Sequence, residues 1–171
     1  MRAMLLERMG PVHEGATPLV LASRPEPVPG PGQLLIRVSA CGVCHTELDE
    51  IEGRTPPPRL PVVPGHQVVG RVQALGPGAI GFSVGDRVGV AWIFSADGTC
   101  AHCRGGQENL CPAFTATGRD ADGGYAEYMV APASFVHAIP DAFDDLQAAP
   151  LLCAGAVGFR SLRLTALEDG Q

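Results

Sequence analysis

The chain has 171 residues, 46 % of them hydrophobic, which is enough for one domain with a sizeable core. A formal charge of −6 and a pI near 5.2 argue against nucleic acid or an anionic membrane surface as a partner. Glu7 and Arg8 interrupt the N-terminal apolar run, and the longest apolar stretch, residues 148–159, contains Pro150 and is too short to cross a bilayer, so a cytoplasmic protein is expected.

Glycine (22 residues) and proline (16) are abundant, a balance that suits short strands joined by tight turns. In chain order, RAMLLE is a candidate first strand, and QLLIRVSACG after the turn VPGPG is a stronger one. CHTELDEIEG has helix-forming residues and stops at Gly53, which predicts a short helix. RTPPPRLPVVPG reads as a proline-rich connection. HQVVGRVQALG and GDRVGVAW alternate as strands do, with the glycine-rich GPGAIGFSV between them. A cysteine-rich loop follows, then GGYAEYMVA and SFVHAI as further strands. From Asp144 the pattern becomes helical, with a restart at Pro150, a residue suited to a first turn. The expectation is a mostly β domain with short helices and a C-terminal helix, without repeats or linkers.

GPGAIG, residues 76–81, matches the G-x-G-x-x-G dinucleotide fingerprint. That mechanism needs a helix directly afterwards, whose N-terminus receives the pyrophosphate. FSVGDRV follows instead, with Gly85 and β-branched residues, so the stretch reads as a hairpin loop.

Six cysteines, including two Cys-x2-Cys pairs, point to metal rather than disulfides in a reducing compartment. In SADGTCAHCRGGQENLC, Cys100, Cys103 and Cys111 stand at spacings x2 and x7. A closed tetrahedral zinc site takes four ligands, and the residue three before Cys100 is Asp97, a carboxylate able to complete the array. His102, between two of the cysteines, is a minor rival for that metal. The remaining soft ligands are Cys41, Cys44, His66 and Cys153. Cys44 opens the predicted short helix and Cys153 falls in the first turn of the long one, where the dipole favours a thiolate. His66 lies in a turn before a strand. Together Cys44, His66 and Cys153 form a Cys2His set, with the fourth position left for water or a substrate oxygen.

GVCHTEL, PGHQVVG, GDRVGV, CAHCRGGQENLC, GGYAEY and APLLCAG occur in the order found in zinc-dependent medium-chain alcohol dehydrogenases. The chain most resembles their cinnamyl-alcohol-dehydrogenase-like branch, over essentially its whole length. The resemblance implies a GroES-like, partly open β-barrel over residues 1–171, with the loop 95–112 around a structural zinc. Carried over by motif, Cys44, His66 and Cys153 match the catalytic zinc ligands. Asp97, Cys100, Cys103 and Cys111 match the structural ones. Thr46 matches the hydroxyl that bonds the substrate oxygen and begins a proton relay, and His45 a position near the coenzyme pyrophosphate. Glu47 fits the carboxylate that orients His66. Asp49 stands where the family often has a relay histidine, and Gln67 where it usually has a glutamate near the metal. The implied cofactors are zinc and NAD or NADP, and the implied partner is a small alcohol or aldehyde; homo-oligomer formation is left open. No strand, G-x-G-x-x-G and helix occur in succession, so the resemblance implies an N-terminal portion whose Rossmann domain is absent. Such a portion is expected to hold zinc without turning over.

Two other readings use the same cysteines. A zinc ribbon would place Cys41, Cys44, Cys100 and Cys103 on one metal, although it leaves Cys111, His66 and Cys153 without roles. A thioredoxin-like redox pair at Cys41 and Cys44 lacks the expected βαβ surroundings. Outside the ligand sets, Cys41 is expected to be structural, and His13 and His137 to be ordinary surface or loop histidines.

Overall fold

In the computed structural model, which describes residues 1–167, the long strand after the VPGPG turn organises everything else. Strands β1 (Arg2–Leu5) and β2 (Val20–Ser23) form an antiparallel pair at the start of the chain. Strand β3 (Gln33–Gly42) leads into helix α1 (His45–Ile51), and β4 (Gln67–Leu75) returns antiparallel to β3. Strands β5 (Arg87–Val90) and β6 (Ile93–Ser95) precede the cysteine-rich loop, which holds the one-turn helix α2 (Ala101–Arg104). After it come β7 (Thr115–Ala116), β8 (Tyr128–Pro132) and β9 (Val136–Ala138). Helix α3 (Asp145–Ala148), a 3-10 turn (Ala149–Leu152) and helix α4 (Ala154–Thr165) follow among the described residues.

The main sheet has five strands in the order β8-β3-β4-β5-β9. Its pairings are antiparallel, and bulges interrupt the β3–β4 ladder after Leu35 and after Val38. Such bulges bend a strand and increase its twist, which curls this sheet into the half-barrel expected of the domain. Alternation then sorts side chains by face. Leu34, Ile36, Val68, Val72, Val88, Val90, Met129 and Ala131 pack together on the inner side. On the other side Val69 is covered by Ala148 and Ala149, with Ala40, Ile139 and Leu152 around them.

That second layer decides where the chain reaches the site. A Cβ on Gly89 would stand 2.9 Å from Leu152 Cδ1 and 2.7 Å from Ile139 Cδ1, so the bare glycine of β5 lets Leu152 seat directly on the sheet. The predicted continuous helix from Asp144 is corrected here. Pro150 lies in the 3-10 turn, and the backbone breaks at Cys153 (φ −135°, ψ −78°) before α4 begins. The break places Cys153 at the N-cap, one position outside the first turn expected for it. Val157, Phe159, Leu162 and Leu164 of α4 all stay exposed. Strands β2, β6 and β7 were not anticipated; β6 and β7 have only three and two residues, too few for alternation to register. Among the described residues, no helix is long and apolar enough to cross a membrane.

Candidate functional site

Three distant segments meet at one end of the central β3–β4 pair, where β3 runs out before Cys44 and β4 starts just after His66. Cys44 is the N-cap residue of α1, and its N–H donates to Glu47 Oε2 at 2.7 Å. The other oxygen of the same carboxylate, Oε1, lies 2.7 Å from His66 Nδ1. The two atoms are at ion-pair distance, although off the line of a hydrogen bond. Glu47 therefore ties both Cys44 and His66 into one buried unit, with 3 % and 1 % of the Glu47 and His66 side chains exposed. His66 follows a turn stitched to the GGY segment: Gly123 N–H donates to Val63 O at 2.7 Å, Gly124 N–H to Gly65 O at 2.9 Å and Tyr125 N–H to Pro64 O at 3.0 Å. Cys153 arrives from the opposite side on the Leu152 anchor.

The result is a Cys44 Sγ to Cys153 Sγ distance of 3.9 Å, with the ligand atoms of Cys44, His66 and Cys153 all within 4.8 Å of one another. Two sulfurs on a tetrahedral zinc stand about 3.8 Å apart when each Zn–S bond is about 2.3 Å. His66 Nε2 is buried without a protein hydrogen-bond partner, as a nitrogen turned toward a metal would be. Electrostatics agree. Burial, then the neighbouring Cys44, pushes the Cys153 thiol up to about 11. Burial likewise pushes Cys41 up to about 12, with the Glu47 charge adding to it. Burial is the larger cause in both, and the neighbouring negative charges add to it; a divalent cation would offset that smaller part. The donor set fits zinc.

Glu50, on α1 below this unit, is 1 % exposed, and neither carboxylate oxygen has a partner. Burial, followed by the charge of Glu47, raises it from 4.5 to about 8, against a smaller opposing pull from Arg119. Raised in the folded state, this group contributes stability that is intact below its unfolded value and lost as pH climbs through about 8. Thermal unfolding in chelator between pH 5 and 9 is therefore expected to fall more steeply for the parent chain than for Glu50→Gln. The divergence should reach on the order of 2–4 kcal/mol at the alkaline end. Parallel profiles would show that Glu50 is solvated or compensated.

The cysteine-rich loop gathers a second set. Asp97 Oδ1 accepts from Thr99 N–H at 2.7 Å and from Cys100 N–H at 2.8 Å. Those amides, with smaller help from the Cys103 and Cys111 thiols, hold the carboxyl well below the usual carboxylate range. Asp97 is thus a turn residue and also a member of a cluster in which ligand atoms of Asp97, Cys100, Cys103 and Cys111 lie within 4.8 Å of one another. The Cys103 N–H donates to Cys100 Sγ at 3.5 Å and lowers that thiol, while burial pushes Cys103 up to about 12. His102 is exposed and outside this group. The ribbon reading is corrected: Cys44 and the Cys100–Cys103 pair belong to separate clusters, and Cys41 belongs to neither. All six cysteines are free thiols, so Cys41 and Cys44 form no disulfide.

A cleft of about 520 Å³ opens over the first cluster, with Thr46, His66 and Cys153 in its lining and Trp92, Ile93, Phe114, Phe135 and Leu152 on its walls. Thr46 Oγ1 is 3.6 Å from Cys44 Sγ. His137, read from the sequence as ordinary, lines this cleft as well; β9 carries it there, and nothing in SFVHAI signals it. Trp92 was also missed, although its ring stands edge-on to His66 with centroids 5.0 Å apart. His45 and Asp49 lie outside, on the exposed side of α1, with His45 Nε2 3.7 Å from Asp49 Oδ1 and Arg54 paired to the same carboxylate. Gln67 is buried with its amide against Gly42.

The chain is 49 % identical over 175 residues to the "Probable alcohol dehydrogenase AdhA" of Mycobacterium tuberculosis, covering 99 % of this chain and 50 % of that protein. Its fold matches cinnamyl alcohol dehydrogenase from Sorghum bicolor with a TM-score of 0.86 and 33 % identity, across 99 % of this chain and 49 % of that one. It matches the cobalt- and zinc-bound thermostable alcohol dehydrogenase from Pyrobaculum aerophilum with a TM-score of 0.81 and 33 % identity, across 94 % and 48 %. The chain spans about half the length of the curated relatives it matches. Residues 30–141 match the family described as "Alcohol dehydrogenase GroES-like domain". Because that match runs from the turn before β3 to beyond β9, the chain belongs to the alcohol dehydrogenase GroES-like domain family.

Proposed function

We propose that this chain is the metal-holding catalytic portion of a zinc-dependent alcohol dehydrogenase. The reaction is interconversion of a primary or secondary alcohol with its aldehyde or ketone, against NAD or NADP. The observation that carries this reading is the convergence of Cys44, His66 and Cys153 in the lining of an apolar cleft. Bound there, zinc would supply Lewis-acid polarisation of a substrate oxygen. Glu47 holds Cys44 and His66 in register and fixes the imidazole so that Nε2 is the ligand nitrogen. Thr46 hydrogen-bonds the substrate oxygen and passes its proton outward, toward His45 and Asp49 at the surface. The aromatic and aliphatic walls exclude water from the carbon that exchanges hydride. Gln67, an amide, would bring no charge of its own to the metal's surroundings. The nicotinamide dinucleotide binds on a second, Rossmann-type domain, and the exposed apolar residues of α4 suit packing against it.

Asp97, Cys100, Cys103 and Cys111 would hold a second, structural zinc in the loop. Asp97 Oδ1 is engaged by two amides, and the carboxylate would contribute an oxygen to the metal alongside the three thiolates. Crystals of the zinc-loaded chain, mapped by anomalous scattering on either side of the zinc edge, are expected to show both metals. Asp97→Ala should erase the loop peak and lower the zinc content by about one ion. Metal held by His102, with Asp97 turned to solvent, would refute the loop assignment. Absence of a peak among Cys44, His66 and Cys153 would refute the catalytic one.

A further inference from the structure

Behind the aromatic wall of the cleft stands Arg119, outside the lining itself. Its guanidinium carbon is 5.6 Å from the Trp92 ring centroid and 5.6 Å from that of Phe114, both inside cation–π range. A planar guanidinium serves two rings in a way that a lysine ammonium does not. The head group is also anchored. Nε and Nη2 lie 2.9 and 2.8 Å from Asp120 Oδ2, and the same oxygen accepts the Ala116 N–H at 2.8 Å. The guanidinium is thereby tied to the β7 backbone. Trp92 touches both this strut and His66, whose ring it meets at an interplanar angle of 74°.

We propose that Arg119 is a positioning residue: fixed by Asp120, it holds Trp92 against the His66 imidazole and locks Trp92 and Phe114 into one wall. The second consequence, a steadier metal ligand, rests on the function proposed above. Losing the strut frees the indole to swing, widens the wall and releases one side of the imidazole. Glu47 still holds the other side, so the metal site should weaken without being abolished.

Trp92 is the single tryptophan of the chain, so its fluorescence reports this wall alone. In metal-free protein, Arg119→Met should raise the acrylamide quenching constant about two- to fivefold, the population shift that one cation–π contact supports. Arg119→Lys, with charge but no plane, should fall between parent and Met variant. In cobalt(II) titrations followed by quenching of Trp92, the Met variant should bind about tenfold more weakly, the scale of losing a group that orients a ligand. Far-UV circular dichroism controls for folding. If the Met variant fails to fold, the lysine variant must still exceed the parent in quenching. A folded variant whose Trp92 quenching and cobalt affinity equal the parent's overturns the proposal. If the parent takes no cobalt beside Trp92, the function reading fails instead, and the metal-free quenching series still decides the role of Arg119.

Discussion

Replacing Cys153 with serine is expected to lower the zinc content of the purified chain by about one ion, because three protein ligands define the proposed catalytic site and a hydroxyl is a far poorer donor than a thiolate. The effect reaches across 109 residues of sequence: the Cys44–His66 side keeps its Glu47 support but no longer has a third donor. Cys41→Ser is the matched control. Its thiol donates weakly to the neighbouring Gly42 carbonyl at 3.6 Å and lies in neither cluster, so zinc content should stay at about two ions. Metal analysis by plasma emission after exhaustive dialysis reads both variants. The opposite pattern, with Cys41 needed and Cys153 dispensable, would restore the ribbon. Zinc uptake by the parent should also release protons, since burial and Cys44 push the Cys153 thiol up to about 11 and it must ionise to bind.

Gly65→Ala is expected to be strongly damaging next to the site. Gly65 has φ +99°, and an added Cβ would stand 2.6 Å from Tyr125 Cδ1 and 2.9 Å from Cys41 Sγ. The left-handed backbone costs an alanine about 1–2 kcal/mol, and overpacking adds roughly 1–3 kcal/mol. At the usual scaling of about 2–4 °C per kcal/mol for a chain of this size, the melting temperature should drop by about 10 °C. The next residue is His66, so relief of the clash also displaces a ligand and weakens the first metal site. Gly78→Ala separates backbone strain from crowding: φ is +72° there, but nothing lies within 4 Å, so only the conformational cost applies. Equal melting temperatures for the two variants would show that the Gly65 turn relaxes freely.

The strong strands and the short helix were legible because each is a local pattern. QLLIRVSACG and HQVVGRVQALG alternate over enough residues to declare a sheet, and they form its central pair as β3 and β4. The hairpin reading of GPGAIG held for the same reason: β4 and β5 flank it as antiparallel neighbours. The helix from Asp144 was read too simply. Its composition is helical throughout, but seating Ala148, Ala149 and Leu152 on Val69 and Gly89 breaks it at Cys153. Trp92, His137 and Arg119 left no signal, since a lone aromatic, imidazole or guanidinium has no spacing to be recognised.

By itself the sequence determined the donor chemistry and its local spacing: the Cys-x2-Cys turn, the Asp97 register and the Cys44-to-Glu47 step that closes on the start of α1. These are set by a few consecutive dihedrals, and a short run of residues encodes them. Only the tertiary structure decided which donors share a site. Whether Cys44 faces Cys153 or Cys100 depends on the β3–β4 register, on the glycines that let Tyr125 and Leu152 approach, and on one buried carboxylate that reaches both Cys44 and His66. The physical reason is that thiols and imidazoles bind wherever a cation finds them, so the partition between two clusters rests on long-range packing, which no local spacing specifies.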